Sequence, residues 1–207
     1  MLNQQDINAH FRRVDPVMAK VIGQVGPFVL KPKRDRFKTL VTSIISQQIS
    51  TAAARTIRAR LDELVKPRKY LPQTFAELSS DDLRSVGVSQ QKASYIADLS
   101  QKCLDGTVQL SRLGRLDDEA VIEQLIQVKG IGRWSAQMFL IFSLGRPNVF
   151  PHDDLGVRNA IQRIYEHPEP LSKPELLAVG QRWEPYASVA SWYCWRYLEY
   201  LAAKADR

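Results

Sequence analysis

Leu125-Ile126-Gln127-Val128-Lys129-Gly130-Ile131-Gly132-Arg133-Trp134-Ser135-Ala136 is the stretch that decides how this chain folds. Two glycines bracket one apolar residue. Helical periodicity runs into the segment through Val121, Ile122 and Leu125, and out of it through Met138, Ile141 and Phe142. The segment therefore reads as a helix, a tight turn and a second helix, with Ile131 pointing inward as the plug between them. Glycine tolerates positive φ and lets another chain approach the backbone. Such a turn can aim amide N–H groups at a phosphate where a helix N-terminus adds its positive dipole end. On the glycines alone, an ordinary turn between packed helices explains the segment as well.

Working outward, apolar residues recur at helical spacing nearly everywhere and period-2 alternation is almost absent, so the fold class is all-α. Helix starts are expected at Asp15 before Pro16, at Asp35, at Ser50 or Thr51, at Ser79 or Ser80, and at Ser89, each a residue type that caps an N-terminus. Stops are expected at Gly26-Pro27, Pro67, Gly106, Gly145-Pro147 and Pro168-Pro170. These markers predict about ten helices, with the longest loops near 27–35, 66–73 and 106–117. Leu83 to Ala93 weakly echoes Leu125 to Ala136, with Ser89 standing where the later copy has a glycine. The earlier copy therefore reads as structural, and only the later one keeps an open backbone.

With 207 residues, 44% of them apolar, the chain is long enough to bury a sizeable core. The two cysteines, Cys103 and Cys194, have no partners at metal-ligand spacing, which excludes a zinc site and a four-cysteine iron-sulfur cluster. No run approaches the roughly 18 to 20 apolar residues that span a bilayer, and the first residues lack the pattern of a signal peptide. The expectation is a soluble, intracellular monomer without membrane association, cytoplasmic in a prokaryote-like cell and nuclear in a eukaryotic one. A balance of 29 Lys+Arg against 22 Asp+Glu leaves +7, which favours a polyanionic partner but does not by itself demand one.

About twenty residues beyond the glycine turn lies Val149-Phe150-Pro151-His152-Asp153-Asp154-Leu155-Gly156-Val157-Arg158. Either carboxylate fits the start of a helix at Leu155. A carboxylate held in a low-dielectric cleft can also stabilise positive charge developing on a sugar and orient an attacking water.

From Leu125 to Ala136 the chain resembles the helix-hairpin-helix signature of the HhH-GPD DNA glycosylase superfamily, which places its catalytic aspartate about twenty positions later. The resemblance runs from about Arg36 to Tyr197 and is closest to the 3-methyladenine DNA glycosylase II family. It implies a two-lobed helical fold with a DNA-binding cleft between the lobes. Lobe one would span roughly 36–115, with the hairpin at 119–145, and lobe two would comprise 1–35 and 146–207. Met1 to Val25 leaves no room for the additional N-terminal α/β domain of larger members.

The same resemblance assigns Asp154 as the catalytic residue and leaves Asp153 to cap or shape the turn. It implies DNA contacts by Gly130, Ile131, Gly132 and Arg133 of the hairpin, and by Arg158. Gln47, Gln48, Ile49 and Ser50 resemble the segment that enters the minor groove, with Gln48 the leading wedge beside Gln47 and Ile49. Trp134, Trp195, Trp192, Tyr193 and Met138 are the base-pocket candidates. Trp195, counted back to Pro185, aligns best with the family's pocket tryptophan, whereas Trp192 and Tyr193 read first as aromatics that fill a core. No cofactor is required; a Na⁺ or K⁺ ion on the carbonyls of Ile126, Val128 and Ile131 is implied.

Members that also nick the strand carry a lysine at the position of Trp134, and an indole cannot form a Schiff base. The implied activity is base excision repair by a glycosylase without lyase activity, which flips alkylated purines such as 3-methyladenine or 7-methylguanine from damaged double-stranded DNA and hydrolyses the bond to the sugar. The alternatives are a non-catalytic helix-hairpin-helix DNA-binding protein and a glycosylase for other damaged bases.

Overall fold

The computed structural model describes residues 2–205, and among them helices are the only extended regular elements. They run α1 (Gln4–Val14), α2 (Pro16–Val25), α3 (Arg36–Ser46), α4 (Thr51–Val65), α5 (Pro72–Ala76), α6 (Ser80–Ser85), α7 (Gln90–Leu104), α8 (Asp118–Leu125), α9 (Arg133–Phe139), α10 (Leu155–Ile164), α11 (Lys173–Arg182) and α12 (Ala187–Ala205). A π-type turn, Leu140–Leu144, extends α9. The count exceeds the ten expected in part because α5 is barely more than one turn long, too short to display an apolar period.

The helix starts follow from side chains that reach the N–H three residues on. Asp15 accepts from Met18 N, Asp35 from Lys38 N, Ser50 from Ala53 N and Ser89 from Lys92 N, while Ser79 forms a capping box with Asp82. Glycines at Gly26, Gly106 and Gly145 adopt positive φ just past helix ends.

The chain groups into two units. One comprises residues up to Lys31 together with those from Gly145 onward; the other is Pro32–Leu144. In the first unit, α1, α2, α10, α11 and α12 bury Ile7, Phe11, Met18, Ile161, Trp183 and Tyr193. The Asp15 carboxylate is also buried there, accepting Trp183 Nε1 at 2.9 Å and the Tyr165 hydroxyl in addition to its cap bond. In the second unit, α3 packs on α4, α7 and α9 around Leu40, Ile44, Leu61, Ile96 and Leu140. No helix among the described residues is long and apolar enough to cross a membrane.

Candidate functional site

The hairpin belongs to the Pro32–Leu144 unit. Val128 N donates to Leu125 O at 3.1 Å, and Ile131 N to Val128 O at 3.0 Å. Ile131 is buried as the plug, which leaves only its backbone for contact with a partner. Gly130 sits at φ +79°, and a Cβ there would stand 2.1 to 2.6 Å from the Tyr95 ring. The close approach that demands this glycine is thus made by the protein's own tyrosine. Gly132 differs: its φ is −93°, a Cβ would meet nothing within 4 Å, and it caps α9 with no side chain of its own. The earlier echo has the same geometry, with Gly87 at φ +99° and the Ser89 hydroxyl capping α7 where Gly132 opens α9.

Two side chains of α7 brace the turn. The Asp98 carboxylate accepts Lys129 N at 2.8 Å and pairs with Lys102 at 2.9 Å, while Lys102 also donates to Gln127 O. Burial alone would raise the Asp98 pKa, but the hydrogen bonds and charges of Lys102 and Lys129 hold it below the usual carboxyl range. Arg133 forms an ion pair with Glu119 of α8, so this expected DNA contact already has a protein partner.

Gln47 Nε2 donates to Gly130 O at 2.8 Å, fastening the α3–α4 loop to the hairpin. Lys92 Nζ donates to Ile45 O and Gln47 O at 2.8 and 2.7 Å, satisfying carbonyls at the α3 C-terminus, and burial lowers its pKa. Beyond this anchor the chain turns sharply. Gln48 is exposed at φ +55°, left-handed space that a non-glycine residue rarely occupies, and Ile49 is exposed beside it. The exposed Ser50 accepts Ala53 N through its hydroxyl and so caps α4.

Trp134, on the first turn of α9, is 43% exposed. Met138, one turn on and on the same face, lines a cavity of about 160 Å³ with Thr42, Ser46, Ser135, Arg58 and Phe142. Its lining combines hydroxyls with apolar groups, the mixture that orients and buries a small ligand. Of this set the sequence marks only Met138 as a base-pocket candidate; Phe142, at i+4 from it, fits the same face by spacing.

Asp154 lies in the other unit and is buried. The capping role expected of Asp153 falls to Asp154, whose Oδ1 accepts Val157 N at 2.8 Å at the start of α10, while Asp153 is exposed with His152 Nε2 3.3 Å away. The same Oδ1 accepts Trp195 Nε1 at 2.8 Å. Gly156 makes room for this contact, since a Cβ there would stand 3.0 Å from Trp195 Cδ1 and 3.1 Å from Asp154 Oδ1. Trp195 thus reaches the carboxylate. Tyr193, by contrast, is a core residue, fully buried with its hydroxyl on Gly26 O, and Trp192 packs edge-on against Phe28 and Tyr193. Both are corrected from pocket to core, because the first turns of α12 are buried on every side. Arg158 is exposed on α10.

The family model for the HhH-GPD superfamily base excision DNA repair protein matches residues 41–185, which include the hairpin and Asp154. A Bacillus subtilis protein named as a DNA-3-methyladenine glycosylase is 38% identical over 169 residues, covering 79% of this chain and 59% of the relative, so the chain spans well under two thirds of that protein's length. The crystal structure of a Bacillus halodurans DNA-3-methyladenine glycosidase is 33% identical, with a TM-score of 0.81 over 90% of this chain and 88% of that one. A Schizosaccharomyces pombe 3-methyladenine DNA glycosylase in complex with abasic DNA is 27% identical, with a TM-score of 0.79 over 92% and 95% of the two chains. With a family match that spans the glycine hairpin and the buried aspartate beyond it, this chain belongs to the HhH-GPD superfamily of base excision DNA repair proteins.

Proposed function

We propose that this chain is a DNA glycosylase that flips an alkylated purine out of the duplex and hydrolyses its bond to deoxyribose, leaving an abasic site. The carrying observation is the Asp154 carboxylate, buried and fixed through one oxygen by Val157 N–H and the Trp195 indole. A carboxylate so oriented stabilises an oxocarbenium-like sugar and aims water at its anomeric carbon. A base alkylated on a ring nitrogen leaves readily, so one acid suffices. Trp134 and Met138 supply the aromatic and polarisable wall against which such a base stacks.

Trp134 also supports base removal without strand nicking, since an indole has no nucleophilic amine. Gln48, held in left-handed backbone at the tip of an anchored loop, is the residue best placed to fill the vacated stack. The Ile126, Val128 and Ile131 carbonyls are oxygen donors suited to Na⁺ or K⁺. The Val128 oxygen, which accepts one N–H, has a second lone pair. Such an ion would add positive charge to the hairpin where a phosphate docks.

The test is release of free base from methylated duplex DNA by the wild type and by Asp154→Asn, with borohydride trapping in parallel. Release by the wild type, a loss of at least ~100-fold in the variant and no covalent adduct are expected. DNA binding without release from any alkylated substrate would leave a non-catalytic DNA-binding protein. Release confined to oxidised bases would move the substrate class.

A further inference from the structure

Between α3 and α4 lies a groove of about 530 Å³ whose charge the proposed chemistry does not use. Lys33, Arg34, Arg55 and Arg58 line it, together with Lys38 and two carboxylates. Both carboxylates are engaged: Asp62 pairs with Lys38 at 2.7 Å, and Asp35 Oδ1 caps α3. The other four cations have no ion pair among the described residues. Arg58 Nε is tied to Ala54 O, which fixes its guanidinium, while Lys33, Arg34 and Arg55 are exposed. Four like charges gathered in one concavity repel one another, a cost that a polyanion removes.

The position of the groove names the polyanion. The helices that wall it are those joined by the Gln47–Ser50 loop, which is fastened to the hairpin through Gln47. Lys33, Thr39, Thr42 and Arg58 also line the cavity beside Met138, so groove and cavity adjoin. We propose that this groove is a further phosphate-binding surface, which takes the backbone of the same DNA strand that the hairpin and loop engage. Arginine forks suit phosphate oxygens, and contacts of this kind position the strand without reading its sequence. The identity of the polyanion rests on the glycosylase reading, whereas the groove and its unpaired charges do not.

The experiment measures binding of the full chain to undamaged duplex DNA by fluorescence anisotropy across a salt series. It compares the wild type, the combined variant Lys33→Gln/Arg34→Gln/Arg55→Gln, and a control with Lys20→Gln/Lys66→Gln/Lys173→Gln. All six positions are exposed, and a thermal melt checks the fold. Because each neutralised phosphate contributes about 0.9 to the slope of log K against log salt, the groove variant is expected to lower that slope by roughly 2 to 3, and the control by less than about 1. Arg55→Glu alone should weaken binding severalfold more than Lys20→Glu. Equal losses in the groove variant and the control would reduce the effect to net charge and overturn the proposal. An unchanged slope would also overturn it and leave an acidic protein surface as the partner to seek. Binding to undamaged DNA is read independently of base release, so failure here and failure of the glycosylase reading are separate results.

Discussion

Trp195 Nε1 and Val157 N donate to the same oxygen of Asp154, each at 2.8 Å, so one carboxylate oxygen holds both the start of α10 and the indole of α12. On the proposed function, Trp195 is accordingly a positioning residue. Trp195→Phe keeps an aromatic ring and removes the N–H donor together with the five-membered ring that carries it. Base release at saturating DNA is expected to fall about tenfold, the equivalent of one hydrogen bond at 1.4 kcal/mol, with the DNA Kd and Tm little changed. A Kd that rises while the rate holds would make Trp195 a DNA contact instead.

Gly130 and Gly132 should behave differently. Alanine at Gly130 meets the Tyr95 ring at φ +79°, and the expected loss of stability is about 2 to 3 kcal/mol. Alanine at Gly132 enters open space and should cost at most about 1 kcal/mol as a poorer cap, while, on the proposed function, crowding the surface offered to a phosphate. Urea melts paired with DNA titrations separate the two. Equal stabilities would contradict the Tyr95 contact.

Gln48→Gly removes a strained left-handed residue worth about 1 kcal/mol, offset in part by the flexibility glycine gives the unfolded chain. The Tm should hold or rise slightly while base release from duplex DNA drops. Single-stranded substrate should show a smaller deficit, because no stack has to be held open. A variant as active as the wild type on duplex would show that another residue is the wedge.

Asp98 contributes an acid-side stability term. Its folded pKa lies below the usual 3.8, so the unfolded chain takes up a proton first. The stabilisation is complete above about pH 4 and is lost as pH falls through the lower folded value. Denaturant melts between pH 5 and pH 2.5 should show a shallower acid-side decline in Asp98→Asn than in the wild type. Matching slopes would place the transition on other carboxylates.

Helix starts were legible because a cap is a local interaction: Asp15, Asp35, Ser50, Ser79 and Ser89 each bond an N–H three residues away, and sequence spacing encodes that distance. The same locality misled at Asp153-Asp154, where adjacent carboxylates offer two cap registers and only the packing of Trp195 against Oδ1 selects one. In α12 the periodic signal vanishes, since Ala187 to Cys194 are all buried, and nothing in the spacing separates Tyr193 in the core from Trp195 at the acid. Gly130 was correctly marked as a place of close approach, but its neighbour, Tyr95, lies on α7, thirty-five residues earlier in the chain. Such pairings are set by tertiary packing, and single-residue propensities do not carry them.

The amide of Gln47 on the Gly130 carbonyl, with Lys92 gripping the C-terminal end of α3 behind it, ties together two segments 83 residues apart. A graft of the glycine turn alone into another helical scaffold would therefore leave behind the loop fastened to it. Any transplant of the hairpin must move both loops, and the lysine that holds the end of α3, as a single cassette.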